Sequence, residues 1–237
     1  MADSELFKAI KTIYTRMARA AIKAERDLAG VRLVAVTKEV QVETVSTAVD
    51  KGLREFGESR VQVAREKIPR VRSLAGNASL TWHLIGHLQK NKVKTAVELF
   101  DLIHSVDSAD LAALINEQAA RINKVQHVLI EVKLSGEESK YGIDKDSVSG
   151  LIEATSDMKN LQVDGLMTIP PFIEDPEKTR PYFRELRELR EKIQASGLRM
   201  NELSMGMSHD FEIAIEEGAT LVRVGTALFG ERKKEEA

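Results

Sequence analysis

Hydrophobic positions along this chain follow two periods. Leu6, Ile10, Ile13, Met17, Ala20, Ala24 and Leu28 recur at spacings of three and four, one apolar stripe on a helix that Gly30 ends. Beyond it, short apolar runs alternate with amphipathic stretches. The runs predict strands at residues 32–37, 53–56, 80–85, 102–106, 127–132, 162–166, 202–205 and 220–224. Between them Val42/Val45/Val49, Val61/Ala64/Ile68, Leu111/Leu114/Ile115 and Leu151/Ile152/Thr155 keep helical spacing. The clearest helix carries Tyr182, Phe183, Leu186, Leu189 and Ile193, with Asp175 as its N-cap and Pro176 in its first turn.

Strands that alternate with helices build βαβ units and a parallel sheet. Eight of them close a (β/α)8 TIM barrel, here preceded by an additional N-terminal helix. The rival, an open doubly wound sheet, carries a glycine-rich turn after its first strand. That turn reads VTKEVQVET here, without glycine, so the barrel is favoured. The expected layout is a single domain, with the helix over residues 1–30, the barrel over 31–230 and a charged tail, ERKKEEA, over 231–237.

Composition narrows the function classes. With 35 Lys and Arg against 37 Asp and Glu, a net charge of -2 supplies no field to gather nucleic acid or an anionic membrane. The absence of cysteine excludes disulfides, thiolate metal sites and a cysteine nucleophile, and fits a reducing compartment. The first thirty residues are charged throughout, with no apolar targeting core, and no run approaches the ~20 apolar residues of a membrane span. A cytoplasmic monomer without nucleic-acid or membrane partners is the expectation.

In such barrels ligands bind at the C-terminal ends of the strands, and phosphate often sits in the loops after the seventh and eighth. Lys38 ends the run VRLVAVTK, where a strand meets the mouth. A desolvated lysine there can attack an aldehyde, but from this residue alone a solvated lysine opening a loop is the better reading. Ser204, Gly206 and Ser208 follow the seventh candidate strand, and Gly225 and Thr226 follow the eighth. Both turns open helices, where backbone N–H groups favour an anion, although helix caps use the same residues. Two such turns at the positions the barrel rule names point to an anion site. Arg223, between Val222 and Val224, faces the barrel interior if the valines face the helices. There it needs a buried carboxylate or a ligand acceptor.

Other features point to structure. His83 and His87 could suggest a metal pair, but Gly86 and the strand-like WHLI break one continuous helix, so a hydrogen-bonded His83 at a strand end is the simpler reading. Trp82 reads as packing. LSGEESKYG, with Glu137, Glu138 and Lys140, is a mouth-side loop and a candidate lid, and GLMTIPPF gives a stiff exit from the sixth strand.

Taken together, AVTK, FGESRVQV, WHLIGHLQKNK, SVDS, SGEESKYG, GLMTIPPF and LSMGMSHDFEIAIEEGATLVRVGTALFG resemble the pyridoxal phosphate homeostasis protein family, whose barrel is similar to the N-terminal domain of alanine racemase. The resemblance runs in order over almost the whole chain. It implies a fold type III barrel for pyridoxal 5′-phosphate (PLP), with Lys38 forming the internal aldimine and Arg223 facing the pyridine nitrogen. Ser204, Met207, Ser208, Gly225 and Thr226 fall in the segments that hold the phosphate. It also implies a carrier and regulator of vitamin B6 and amino-acid balance, with PLP-dependent apo-enzymes as recipients and no established turnover.

Two departures stand out. FGESRVQV places Ser59 and Val63 where the family has Asn and Glu, and EVQVE follows Lys38 where the family often has a second lysine and a proline. The alternative to a carrier is a PLP-dependent racemase, which needs a second base on the opposite face of its substrate. Alanine racemases take that base from a further domain of a partner subunit. The chain ends soon after the eighth strand, so the expectation is a protein that holds the cofactor, with no catalytic residues assigned.

Overall fold

The computed structural model describes residues 3–134 and 141–230. The strands are β1 (Arg32–Val36), β2 (Glu55–Glu58), β3 (Thr81–Leu84), β4 (Leu102–Val106), β5 (Gln126–Lys133), β6 (Ile143–Asp144), β7 (Leu161–Met167), β8 (Glu202–Met207) and β9 (Leu221–Val224). All pairings are parallel, in the order β4-β3-β2-β1-β9-β8-β7-β5. A β4–β5 pairing closes this ring of eight. The two-residue β6 pairs only with the end of β5, outside the ring. Each predicted strand is present. The second begins later than expected because Leu53 belongs to the turn that ends the preceding helix, where its N–H donates to Ala48 O at 3.0 Å.

The barrel helices are α2 (Val42–Asp50), α3 (Val61–Leu74), α4 (Val93–Leu99), α5 (Ala109–Arg121), α6 (Val148–Thr155), α7 (Arg180–Ala195), α8 (Phe211–Glu216) and α9 (Thr226–Phe229). Asp175 caps a short 3-10 turn, Pro176–Thr179, that leads into α7, its Oδ1 accepting from Glu177 N–H at 3.1 Å. The N-terminal helix α1 (Asp3–Lys23) is shorter than the stripe predicts. Glu25 takes a left-handed φ of 54° and Arg26 N–H closes back on Ala21 O at 2.9 Å, so Ala24 and Leu28 leave the helix before Gly30. No sequence pattern announces a left-handed glutamate. α1 lies against α8, where Arg16 pairs with Glu212 and stacks over the Phe211 ring 4.5 Å from its centroid.

Strand alternation separates two cores. Leu33, Ala35, Phe56, Ile103, Val128, Leu203 and Val222 face the helices in one aliphatic layer. The barrel interior holds a smaller apolar group, Val34, Leu102, Leu129, Met167 and Leu221. Polar side chains from the same inward rows complete that interior, and they lead to the mouth. No helix among the described residues is long and apolar enough to cross a membrane.

Candidate functional site

A cavity of about 600 Å³ opens at the C-terminal ends of the strands. Lys38, Met207, Ser208, Arg223, Gly225 and Thr226 all line it. The strand rule thus brings together residues from three adjacent strand ends. Ser204 is the exception: it is fully buried inside the barrel, away from the cavity wall.

Lys38 stands in a turn closed by Val40 N–H donating to Thr37 O at 3.0 Å, with Glu39 at a left-handed φ of 63°. Buried groups anchor the residue before it. Lys67 Nζ donates to Thr37 O at 2.6 Å and pairs with Glu58 at 2.7 Å, and the Thr37 hydroxyl donates to the same carboxylate at 2.7 Å. The Lys38 side chain itself is exposed. This matches the solvated reading of the residue taken alone, because Lys38 lies beyond the strand and only the run is buried.

The loop after β8 depends on Gly206. Its φ is 87°, and a Cβ there would meet Ala214 Cβ at 2.5 Å and Phe211 Cα at 2.9 Å. Asp210 braces the loop by accepting from Met207 N–H at 2.7 Å. Ser208 Oγ accepts from the N–H groups of Gly225 and Ala227 at 3.2 and 3.3 Å, joining this loop to the start of α9. Its lone pairs are engaged there, and its own O–H is left as a donor.

Arg223 is buried and points inward, as its flanking valines predict. It donates to Ser204 Oγ at 2.6 Å and to Thr168 O at 2.9 Å, both neutral acceptors. Two of its five N–H donors are so used. Burial lowers the guanidinium to about 10, against the attraction of Asp210 and Glu131. Ser204 therefore supports Arg223 and does not present a donor to the cavity, a correction to its expected place beside a phosphate. The same hydroxyl meets His104 Nδ1 at 2.9 Å, and His104 Nε2 meets His83 Nδ1 at 2.9 Å. His83 Nε2 lies 3.1 Å from Glu55 Oε2, a close approach without the alignment of a full hydrogen bond.

His83 and His87 diverge. His83 enters this interior chain, while His87 stacks on Tyr141 with ring centroids 3.8 Å apart. Trp82 packs against Phe56 in the outer core. Glu137, Glu138 and Lys140, the candidate lid, and the tail over residues 231–237 lie outside the described residues.

The chain matches the family model of the alanine racemase N-terminal domain over residues 12–233. It is 46% identical over 225 residues to the pyridoxal phosphate homeostasis protein of Aquifex aeolicus, covering 94% of this chain and 97% of that one. The chain belongs to the pyridoxal phosphate homeostasis protein family. Among solved structures, PipY of Synechococcus elongatus PCC7942 with PLP bound superposes with a TM-score of 0.79 at 38% identity, covering 92% of this chain and all of that one. Alanine racemase of Clostridium difficile 630 shares the fold, with a TM-score of 0.69 at 14% identity, over 94% of this chain and 57% of that one.

The structure adds cavity residues that the sequence did not single out as ligand contacts. Gly86, Ile169 and His209 line the wall, as does Ser59, one of the two family departures. Val63, the other, is an exposed residue of α3 off the cavity wall. Gly86 packs so closely under Ser59 that a Cβ would meet Ser59 O at 2.4 Å. Applying the strand-end rule to β2 and β3 finds Ser59 and Gly86, which lie one and two residues past those strands. His104 carries a quieter signal: it shares the inward row of its strand with Leu102, as Arg223 does with Leu221 in β9.

Proposed function

We propose that this chain binds PLP at the barrel mouth through Lys38 and acts as a carrier and regulator of the cofactor. The observation that carries the reading is one cavity walled by a lysine amine, a buried arginine and a serine hydroxyl beside the first amides of α9. About 600 Å³ suits a cofactor of this size. Such a group supplies an aldehyde, a phosphate dianion and a pyridine ring that withdraws electrons. The Lys38 amine would take up the aldehyde carbon with release of one water. Ser208, Gly225, Thr226 and the Met207 segment would hold the phosphate, and Arg223 would face the ring nitrogen. The relatives' names and the PLP bound to PipY support the same assignment.

A cytoplasmic monomer that passes PLP to apo-enzymes completes the reading. The lack of cysteine fits the reducing compartment in that reading. The racemase alternative needs a second proton-transfer group across the cavity from Lys38. His209 lines the wall, but its Nε2 lies 3.2 and 3.0 Å from the carbonyls of Ile173 and Glu174, which orients that nitrogen as a donor.

Reduction of the PLP-loaded protein with borohydride, followed by peptide mass analysis, tests the linkage. A pyridoxyl adduct on Lys38, with no visible band in Lys38→Ala, is the expected result. An adduct on another lysine overturns it. Interconversion of amino-acid enantiomers well above the rate of PLP alone would replace the carrier with an enzyme.

A further inference from the structure

The interior chain from Glu55 to Arg223 has a direction that its two ends dictate. A guanidinium only donates hydrogen bonds, and an ionised carboxylate only accepts them. Burial pushes the Glu55 carboxyl up, but His83 and Arg32 outweigh it and hold the group below its usual range, so Glu55 is the accepting end. A His83 ring with one proton turns its Nε2–H toward Glu55 Oε2 at 3.1 Å, which leaves Nδ1 to accept from His104 Nε2–H at 2.9 Å. His104 in turn offers a bare Nδ1 to the Ser204 hydroxyl at 2.9 Å. With its one proton so placed, Ser204 Oγ presents only lone pairs to Arg223, 2.6 Å away.

The opposite tautomers fail at both ends. They would aim a His83 lone pair at the Glu55 carboxylate and turn the Ser204 proton loose beside a donor-only guanidinium. His104 is held neutral: burial above all, with the charges of Arg223 and Arg32 adding to it, keeps its ring well below the usual histidine range. The hydrogen bonds from β3 through β4 and β8 to β9 are thus oriented the same way, with the Glu55 charge on β2 fixing their sense.

We infer that His104 and His83 are positioning residues for the ligand of the mouth: they fix the Ser204 hydroxyl so that it can only accept from Arg223, and so set the donors that Arg223 presents to the cavity. This rests on the PLP reading above. Glu55, at the start of its strand and at the opposite end of the barrel, sets the direction. A purely structural histidine pair would stabilise the fold and leave ligand affinity alone.

Three variants, each loaded with PLP and followed by its visible band, separate these roles. His104→Leu removes the acceptor for the Ser204 proton, and Ser204→Ala removes the acceptor for Arg223. Each is expected to weaken PLP binding about tenfold, the loss of one hydrogen bond to a charged group. His104→Asn places Oδ1 where Nδ1 stood, restores the acceptor and is expected to bind within about twofold of wild type. Ser204→Ala keeps the test open if His104→Leu fails to fold. Equal affinity in wild type and His104→Leu, or equal loss in His104→Asn and His104→Leu, overturns the positioning role. Nitrogen-15 NMR of the imidazoles reads the direction without any cofactor: both rings should carry their proton on Nε2, and a proton on Nδ1 of either overturns the ordering. Wild-type protein that takes up no PLP would sink the cofactor reading itself, a different failure from a wild type that binds beside an unaffected His104→Leu.

Discussion

Two arginines project into the barrel from neighbouring strands, and their surroundings are inverted. Arg32, at the start of β1, has a side chain 41% exposed, yet lies 2.8 Å from Glu202 and 3.4 Å from Glu55. Arg223, two residues further toward the mouth in the paired register, is 3% exposed and, among the described residues, donates only to a hydroxyl and a carbonyl. Water already shares the work of the floor pair, whereas the mouth arginine is shielded and, among the described residues, feels Asp210 and Glu131 without an ion pair. A guanidinium placed for stability alone would sit as Arg32 does. The floor is electrostatically complete. On the proposed reading, the mouth takes its acceptor from the ligand.

Breaking the mouth should have the largest effect. Arg223→Gln is expected to weaken PLP binding by about ten- to a hundredfold, from lost charge-assisted hydrogen bonds worth about 1.5–3 kcal/mol. Spectrophotometric titration reads it. Arg32→Gln, which reaches the mouth only through Glu55, should lose much less, and equal losses in the two variants would erase the contrast.

Glu131 sharpens the mouth side. Burial and the nearby Asp107 raise its carboxyl to about 7, against the opposing pull of Arg223. Between the unfolded value and about 7 the folded protein holds a proton that the unfolded chain has lost. Stability from this group therefore falls as pH rises through that window. Glu131→Gln should stabilise the protein at pH 8 by on the order of 2 kcal/mol and lose that advantage in strong acid, as urea midpoints would show.

The two remaining effects are smaller. Arg32→Gln leaves Glu55 and Glu202 facing one another without their shared cation, and should cost about 1 kcal/mol of stability, given partial solvation. His104 gives an acid limb of opposite sign to Glu131. Its folded value is depressed, so stability is lost as pH falls below the unfolded histidine value near 6.5. In the Glu131→Gln background, where the opposing slope is gone, moving from pH 6.5 to 5.5 should remove about 1 kcal/mol, and adding His104→Asn should abolish that loss.

The barrel was legible in the sequence because its strands are covered on both sides, so each reads as a short apolar run between turns. Lys38 and Arg223 were legible because position relative to a strand end or a valine pair decides where a side chain goes. Ser204 was half legible. Its segment was right, but alternation, applied to it as it was to Arg223, would have sent it inward and off the wall. The His83–His104 chain escaped because a strand histidine looks the same whether it packs or orients a neighbour, and its partners come from β2, β8 and β9, far apart in sequence. Likewise, nothing local marks Lys67 as the clamp on Thr37, although it occupies the buried stripe of α3 with Ala64 and Ile68.

The Ser208 bridge has a mechanical consequence. By gripping the first amides of α9 from the loop after β8, it makes two sides of the cavity into one stiff jaw. The facing jaw, around Lys38, rests on a tight turn with a left-handed glutamate at its corner. A cargo seated between them would grip the stiff side by its phosphate and leave by the side where the lysine can swing.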